Sequence, residues 1–560
     1  MTKTEALKAG SDHLRGEIVN ELGNDSPAFT GDTVQLLKFH GMYQQDDRDK
    51  RALARTAGEN KKPTKHWQMM IRTRIPGGKV SAAGYLAHDA IAGQWGNQTL
   101  RLTTRQDFQL YGVLKGDLKS SIRAINQAMM TTLGGCGDQV RNVMCCPAPI
   151  EDRLRSQLQG ILHQLVGGLT PLTGAYHEIW MDGERVAGPE TEPLYGESYL
   201  PRKFKVGIAP EGDNCIDIYS NDLGLVAMRD ERGELAGFNL LVGGGLGRTN
   251  NKPGTYPAVA QPLAWVSPDQ ALAASQAVVA VQRDHGNRSD RRYARLKYLI
   301  GERGLEWFQN QVQSRLDFTL QPPTPLSWSP MEDHLGWHGQ ADGQGFYGLF
   351  VENGRIKDEG NFRLRSGLRQ IARELTPTFW ITAQQNLLIA DLEVTMKETL
   401  FQLFHEYGIT PTERIPIAVR NSMACPAIPT CGLAVAESER VLPALIRQFD
   451  GIFQELGLAE ERISVRMTGC PNGCARPYLG DIGLVGTTLG KYDVLLGGDF
   501  EGTRLNSHFA GNVPLEELPN LLRPLLANFA EERVADEGFG EWCHRQGNLR
   551  LQERFLAGVA

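Results

Sequence analysis

The chain reads as an α+β protein made of two related halves, and three observations predict this. First, Leu100-Arg-Leu-Thr-Thr-Arg-Gln-Asp-Phe-Gln-Leu110 aligns with Phe379-Trp-Ile-Thr-Ala-Gln-Gln-Asn-Leu-Leu-Ile389. At the same offset, Val140-Arg-Asn-Val-Met-Cys-Cys-Pro-Ala148 aligns with Val419-Arg-Asn-Ser-Met-Ala-Cys-Pro-Ala427. Two matches sharing one offset indicate an internal duplication, each half being one structural unit. Second, the repeat continues downstream with small length changes. Asn221-Asp-Leu-Gly-Leu-Val-Ala227 resembles Gly480-Asp-Ile-Gly-Leu-Val-Gly486, and Phe238-Asn-Leu-Leu-Val-Gly-Gly244 resembles Tyr492-Asp-Val-Leu-Leu-Gly-Gly498. These are short strand-like runs ended by glycines. Third, strands and helices interleave without regular βαβ spacing, which favours an α+β arrangement.

The helix expected between the cysteine pairs Cys425/Cys431 and Cys470/Cys474 has a physical signature. Val441, Leu445, Phe449, Ile452, Phe453 and Leu456 recur at helical spacing, Pro443 suits a first turn, and Gly457 suits a stop. At 560 residues, 41% hydrophobic and 22% charged, the chain has the size of about three or four domains. A net charge of −6 gives no global field for nucleic acid or an anionic membrane. No run of about 18 apolar residues appears and Met1–Asn20 has no signal-peptide pattern, so no membrane span is expected. Nine cysteines are too few for a disulfide framework and suit a reducing cytoplasm.

Four of those cysteines carry the chemistry. Cys425-x5-Cys431 and Cys470-x3-Cys474 are two thiol pairs far apart in sequence, brought together around something that binds four sulfurs. Zinc knuckles pair cysteines two to four residues apart, and four thiolates satisfy either zinc or an iron–sulfur cluster. The wider first gap favours the cluster. Cys146 duplicates Cys425, and the first half is read as lacking the remaining thiols. The adjacent Cys145-Cys146 pair reads as two buried thiols and not as ligands.

In place of thiols the first half offers cations. Arg72, Arg74, Arg101, Arg105, Arg141, Arg202, Lys203 and Lys205 lie in or beside strand-like segments. Solvated faces are the bland explanation for each. Alternation places Arg101, Thr103 and Arg105 on one face of a strand and Lys203 with Lys205 on one face of another. Cations repeated on one face repel unless anions stand opposite, and an unlike pair at about 4 Å is worth roughly 4 kcal/mol at an effective dielectric near 20. A polyanionic cofactor or an anionic substrate is implied. Arg283–Lys297 is also basic, but acidic residues are mixed in, which favours further cofactor cations over nucleic acid. Val242-Gly-Gly-Gly-Leu-Gly-Arg248 fails the dinucleotide fingerprint because Arg248 stands where the third glycine belongs. Without a nicotinamide site, electrons are expected from another protein.

Together these residues resemble the sulfite and nitrite reductases that contain sirohaem and a [4Fe–4S] cluster. The resemblance runs from Phe39-His-Gly-Met-Tyr-Gln-Gln45 to Gly538-Phe-Gly-Glu-Trp542, with Leu200-Pro-Arg-Lys-Phe-Lys205 beside the cysteine pattern as its most specific part. It implies a three-lobed α+β fold with a pseudo-twofold axis and ferredoxin-like small units. The implied division is an arm at 1–60, small units at 61–135 and 331–410, and larger cofactor units at 136–330 and 411–560. It further implies that Cys425, Cys431, Cys470 and Cys474 ligate the cluster and that Cys474 is also axial ligand to the haem iron. Asn472 matches a position beside the macrocycle. Arg72, Arg141, Lys203 and Lys205 match the cations of the substrate side, and Arg101, Arg105 and Arg295 match positions that neutralise sirohaem's carboxylates. Lys203 or Lys205 is the candidate proton donor.

The implied reaction is six-electron reduction of sulfite to sulfide in assimilatory sulfur metabolism. Electrons would come from an NADPH-dependent flavoprotein subunit or from ferredoxin. Nitrite-preferring relatives carry asparagine where Lys205 stands and tryptophan where Phe204 stands, so sulfite is favoured over nitrite. A zinc-stabilised binding protein without catalysis is the alternative from another class. Tyr111 departs from the histidine common in the family.

Overall fold

Four five-stranded sheets carry the duplication. The computed structural model describes residues 2–56, 65–150, 153–173, 179–181, 184–187, 192–250, 252–329, 333–340 and 343–556. In the first large unit the strands Met144–Cys145, Val206–Pro210, Leu223–Arg229, Leu235–Val242 and Gln261–Val266 lie side by side in that order. In the second, Ser422–Ala424, Val465–Thr468, Ile482–Thr488, Lys491–Leu496 and Ser507–Pro514 do the same. In each sheet the first three strands run parallel and the last two pair antiparallel. Leu223–Arg229 and Ile482–Thr488 are central strands whose first five residues are buried on both faces. Near-continuous apolar runs are what such doubly covered strands require.

The two small units repeat a second pattern. Met42–Asp46, Trp67–Arg72, Phe108–Val113 and Leu100–Leu102 form one sheet, and Gly336–Gly339, Gly345–Leu349, Leu387–Leu392 and Thr378–Ile381 form its counterpart. Each sheet takes its fifth strand from the other half. Lys79–Ser81 pairs with Thr378–Ile381, while Arg355–Ile356 pairs with Leu100–Leu102. The register mirrors the duplication, Trp380 standing opposite Lys79 as Arg101 stands opposite Arg355. This exchange closes an edge that would otherwise expose unpaired backbone. It also explains why both small units share one hydrophobic core, which runs from Met69, Phe108 and Leu110 to Phe379 and Ile389. Separate cores fill the two large units, and three cores make the three lobes.

Local signals behave as their chemistry directs. The helix Leu442–Glu455 has Pro443 in its first turn, buries Leu445, Phe449, Ile452 and Phe453, and ends before Gly457 at φ +71°. Ser81 caps Ala82–Gln94 by accepting from Gly84 N at 3.1 Å. Two expectations are corrected. The strand Met42–Asp46 belongs to the first small sheet, so that unit begins before residue 61. Arg101 and Arg105 do not share a strand face, because the strand stops at Leu102. Thr103 then starts a turn whose oxygen accepts from Gln106 N at 3.0 Å and whose hydroxyl accepts from Asp107 N at 3.1 Å. Among the described residues no helix is long and apolar enough to cross a membrane.

Candidate metal and anion centre

The second large unit supplies the thiols on two loops. Cys425 follows the strand Ser422–Ala424, and Cys470 and Cys474 follow Val465–Thr468, the parallel neighbour of that strand. Parallel strands end on the same side of a sheet, which brings the two loops together. Their packing is close: a Cβ on Gly469 would lie 2.5 Å from Ala427 Cβ and 2.5 Å from Ala436 O. Gly473 turns the second loop at φ +64°, where a Cβ would also meet Tyr478 Cε2 at 2.8 Å. Gly469 N donates to Cys425 Sγ at 3.4 Å and Asn472 Nδ2 to Cys470 Sγ at 3.5 Å.

The four sulfurs act on one another electrostatically. Burial, and then the charge of Cys474, raises the Cys425 thiol above its ordinary value and pushes Cys470 up to about 11. Yet no three of the four sulfurs lie within 4.8 Å of one another. A lone tetrahedral zinc with bonds of about 2.3 Å would hold its sulfurs roughly 3.8 Å apart. Thiols spaced more widely than that fit a cluster better than a lone zinc ion.

The first half grips the second loop from the opposite side. Arg248 N donates to Pro471 O at 2.8 Å, and a Cβ on Gly247 would lie 3.1 Å from Asn472 O. Thr104 Oγ1 donates to Cys474 O at 2.9 Å, and Arg476 Nη1 donates to Thr104 O at 3.1 Å. The glycine run 243–247, which matches no nucleotide motif, thus has a packing purpose: it admits the cysteine loop and Arg295. Lys297 ties the run down by donating to Gly245 O at 2.8 Å and Gly247 O at 3.0 Å.

Lys203 and Lys205 flank buried Phe204, just before the strand Val206–Pro210. Neither ammonium makes a hydrogen bond or ion pair among the described residues. Burial, with Arg141 and Arg295 nearby, pushes Lys203 well below its ordinary value, while Cys474 pulls the other way. Burial, then Arg105 and Lys203, depresses Lys205 in the same direction. Lys203 is therefore within electrostatic reach of both Cys474 and Arg141, and thiols and cations meet at one place. Burial also brings Arg105 down to about 9. Its Nη1 donates to Asn221 Oδ1 at 2.9 Å and its Nη2 to Val206 O at 3.1 Å, while Nε has no partner. Arg295 holds Asp222 through two bonds of 3.0 and 2.8 Å, and Asp222 Oδ2 also accepts from Lys205 N at 2.9 Å. Sequence reasoning missed Asp222 as the carboxylate that sets both cations, because its partners are distant in the chain.

Arg72 Nη1 donates to Cys136 Sγ at 3.0 Å and to Gly135 O at 3.3 Å. With its carbonyl turned to Arg72, Gln109 accepts from Nε at 2.8 Å and donates to the Tyr111 hydroxyl. Tyr111, the departure from the family pattern, thus acts on the guanidinium through one amide. Among the described residues the Arg141 guanidinium donates only to Gly137 O, at 3.3 and 3.4 Å, which leaves its remaining N–H groups without a partner there. Arg101 is the exception. Fully buried, it ion-pairs with Glu439 and donates to Ala424 O at 2.8 Å, and Arg355 completes the network at 2.7 Å from the same carboxylate. These contacts make Arg101 a tie between the halves.

The comparisons agree with this geometry. The family model for the nitrite and sulphite reductase 4Fe-4S domain matches residues 168–320 and 417–556, and that for the nitrite/sulfite reductase ferredoxin-like half domain matches 61–128. The chain is 44% identical to a "sulfite reductase [NADPH] hemoprotein beta-component" of Paenibacillus sp., covering 98% of this chain and 95% of that protein. It is 43% identical to a "sulfite reductase [ferredoxin]" of Synechococcus elongatus, covering 99% and 90%. The solved Mycobacterium tuberculosis NirA protein has the same fold, with a TM-score of 0.77 over 98% of this chain and 96% of that one at 23% identity. The chain therefore belongs to the nitrite and sulphite reductase family, and is an oxidoreductase with a [4Fe–4S] domain.

Proposed function

We propose that this chain is a haemoprotein that reduces sulfite to sulfide with six electrons, holding sirohaem beside a [4Fe–4S] cluster. The observation that carries the reading is the pair of buried ammonium groups, Lys203 and Lys205, without a partner among the described residues, Lys203 within electrostatic reach of Cys474 and Lys205 within reach of Lys203. Cys425, Cys431, Cys470 and Cys474 would hold the cluster, Cys474 would join it to the haem, and Arg105 and Arg295 would face the macrocycle's carboxylates. When bound, the two iron cofactors supply single electrons to the oxyanion. The orphaned Arg105 Nε and the remaining N–H groups of Arg141 fit such a polyanion, since buried unpaired donors are otherwise costly.

The residues do the rest. Arg72 and Arg141 stay charged and anchor sulfite oxygens by charge-assisted hydrogen bonds. Lys203 and Lys205, with depressed affinity for their protons, give them up more readily to the departing oxygens. Sulfite brings negative charge that restores the lysines' protonated form, so binding and protonation are coupled.

Electrons arrive from a separate redox protein. Relatives named for NADPH and for ferredoxin are nearly equally similar, and turnover with each donor class in separate assays identifies the donor. None of the nine cysteines forms a disulfide, which supports residence in a reducing cytoplasm. The substrate is tested by competition between sulfite and nitrite with a chemical reductant. The reading expects the larger kcat/KM for sulfite. A larger value for nitrite would move the chain to the nitrite-reducing branch of the family.

A further inference from the structure

Four ligand-type side chains that the reaction does not use meet at one point. The sulfurs of Cys146 and Cys215, a carboxylate oxygen of Asp213 and a ring nitrogen of His334 all lie within 4.8 Å of one another. Among the described residues no other group of this kind does. Cys146 Sγ stands 3.2 Å from Asp213 Oδ2, and His334 Nε2 stands 3.4 Å from the same oxygen. A tetrahedral ion with bonds of about 2.3 Å to sulfur and 2.0–2.1 Å to nitrogen and oxygen has edges of roughly 3.3–3.8 Å. The His334–Asp213 separation falls within that range, and the Cys146–Asp213 separation is slightly shorter than its short end. Cys146, Cys215 and His334 are each at least nine-tenths buried, and among the described residues the polar contacts of His334 Nε2 are with the cluster itself, Asp213 and Cys146.

The duplication gives a second, independent argument. Cys146 stands opposite Cys425 in the first alignment, and the offset that pairs Asn221 with Gly480 pairs Cys215 with Cys474. The expectation that the first half keeps one thiol is thus corrected: it keeps two of the four cluster positions. The other two ligands differ, since Asp213 falls opposite Asn472 and His334 comes from the second small unit. The adjacent thiols part company by strand alternation. Cys145 packs into the core of the first large unit, and Cys146 faces the layer it shares with Phe346, Trp380 and Leu388.

Charge and second contacts suit a divalent ion. Two thiolates, a carboxylate and a neutral imidazole around a dication leave one net negative charge, and Arg155 Nη2 lies 2.6 Å from Asp213 Oδ2 to balance it. Cys215 N fixes the other carboxylate oxygen at 3.0 Å. Two sulfurs with one nitrogen and one oxygen in a closed, dry tetrahedron is a structural zinc donor set. We propose that Cys146, Asp213, Cys215 and His334 bind one zinc ion that fastens the first large unit to the second small unit.

The test is zinc content by mass spectrometry, with zinc-edge X-ray absorption, on holoenzyme purified without chelator. Roughly one zinc per chain is expected, with two sulfur neighbours near about 2.3 Å and two lighter neighbours near about 2.0 Å. The paired variant C146S/C215S and the single variant His334→Gln should each lose the zinc while keeping the visible spectrum of the iron cofactors. Zinc below about a tenth of an ion per chain in the wild type overturns the proposal, as does zinc retained by all the variants. A Cys146–Cys215 disulfide in the unreduced wild-type protein overturns it too. The wild-type measurements need no variant, so a variant that fails to fold leaves the proposal decided.

Discussion

On the proposed reading, Lys205 is where anion selectivity concentrates. Among the described residues its ammonium has no partner, and it sits within electrostatic reach of Lys203, Arg105 and Arg295, a local charge that on that reading suits a more highly charged oxyanion than nitrite. Hydrogen bonds to charged groups are worth about 1.5–3 kcal/mol. Lys205→Asn should therefore lower kcat/KM for sulfite by roughly ten- to a hundred-fold and move the sulfite-to-nitrite ratio toward nitrite. Lys205→Arg should keep sulfite affinity and lose turnover, because guanidinium anchors but does not release a proton near neutrality. Steady-state kinetics with both substrates decides, and an unchanged ratio in Lys205→Asn removes the residue as discriminator. Gly473 is the other single position with a sharp consequence. Alanine there combines φ +64° with a 2.8 Å approach to Tyr478, so the Cys470–Cys474 turn must shift. Iron content per chain should fall in Gly473→Ala with secondary structure retained, and full iron loading would show the turn to be tolerant.

Among elements, the exchanged strands set how the halves are joined. Arg355–Ile356 carries Arg355 to Glu439, which also holds Arg101. These cations keep the Glu439 carboxyl down at about 2 in spite of its burial. Removing one member of a buried ion network leaves uncompensated charge and costs about 3–5 kcal/mol. Glu439→Gln should lower the urea midpoint accordingly, and a change below about 1 kcal/mol would show the network to be dispensable. The helix Ala82–Gln94 adds an acid-sensitive element. Burial holds His88 at about 4, below its ordinary 6.5, with its ring bonded to Gly84 O and Thr73 Oγ1. The unfolded chain takes up a proton below pH 6.5 that the native state refuses until about pH 4. Stability is thus full above pH 6.5 and is lost as pH falls, by roughly 3 kcal/mol across the window. His88→Gln should flatten that slope in urea titrations, and an unaltered slope would assign acid lability elsewhere.

At the scale of the molecule, what the sequence reveals depends on how local its cause is. The duplication is legible because strands on both sides of the turn at 103–106 and its counterpart keep their residues. The four cluster cysteines are legible because each pair is compact. The strand exchange is not, since Arg355–Ile356 is two residues long and is a strand only by virtue of its partner. Glu439 and Asp222 escape for the same reason: each is defined by arginines far away in the chain. Cys215 has no local signature and shows itself only when the downstream offset is applied to the cysteine pattern. Arg101 looks like Arg105 in sequence, yet the turn after Leu102 sends the two guanidinium groups to different partners. The most direct measurement is the ratio of reductant consumed to sulfide formed by purified holoenzyme supplied with sulfite and a one-electron chemical donor. The account predicts six electrons per sulfide, from a protein whose visible spectrum shows a haem. Colourless protein, or reductant consumed without sulfide, would contradict it.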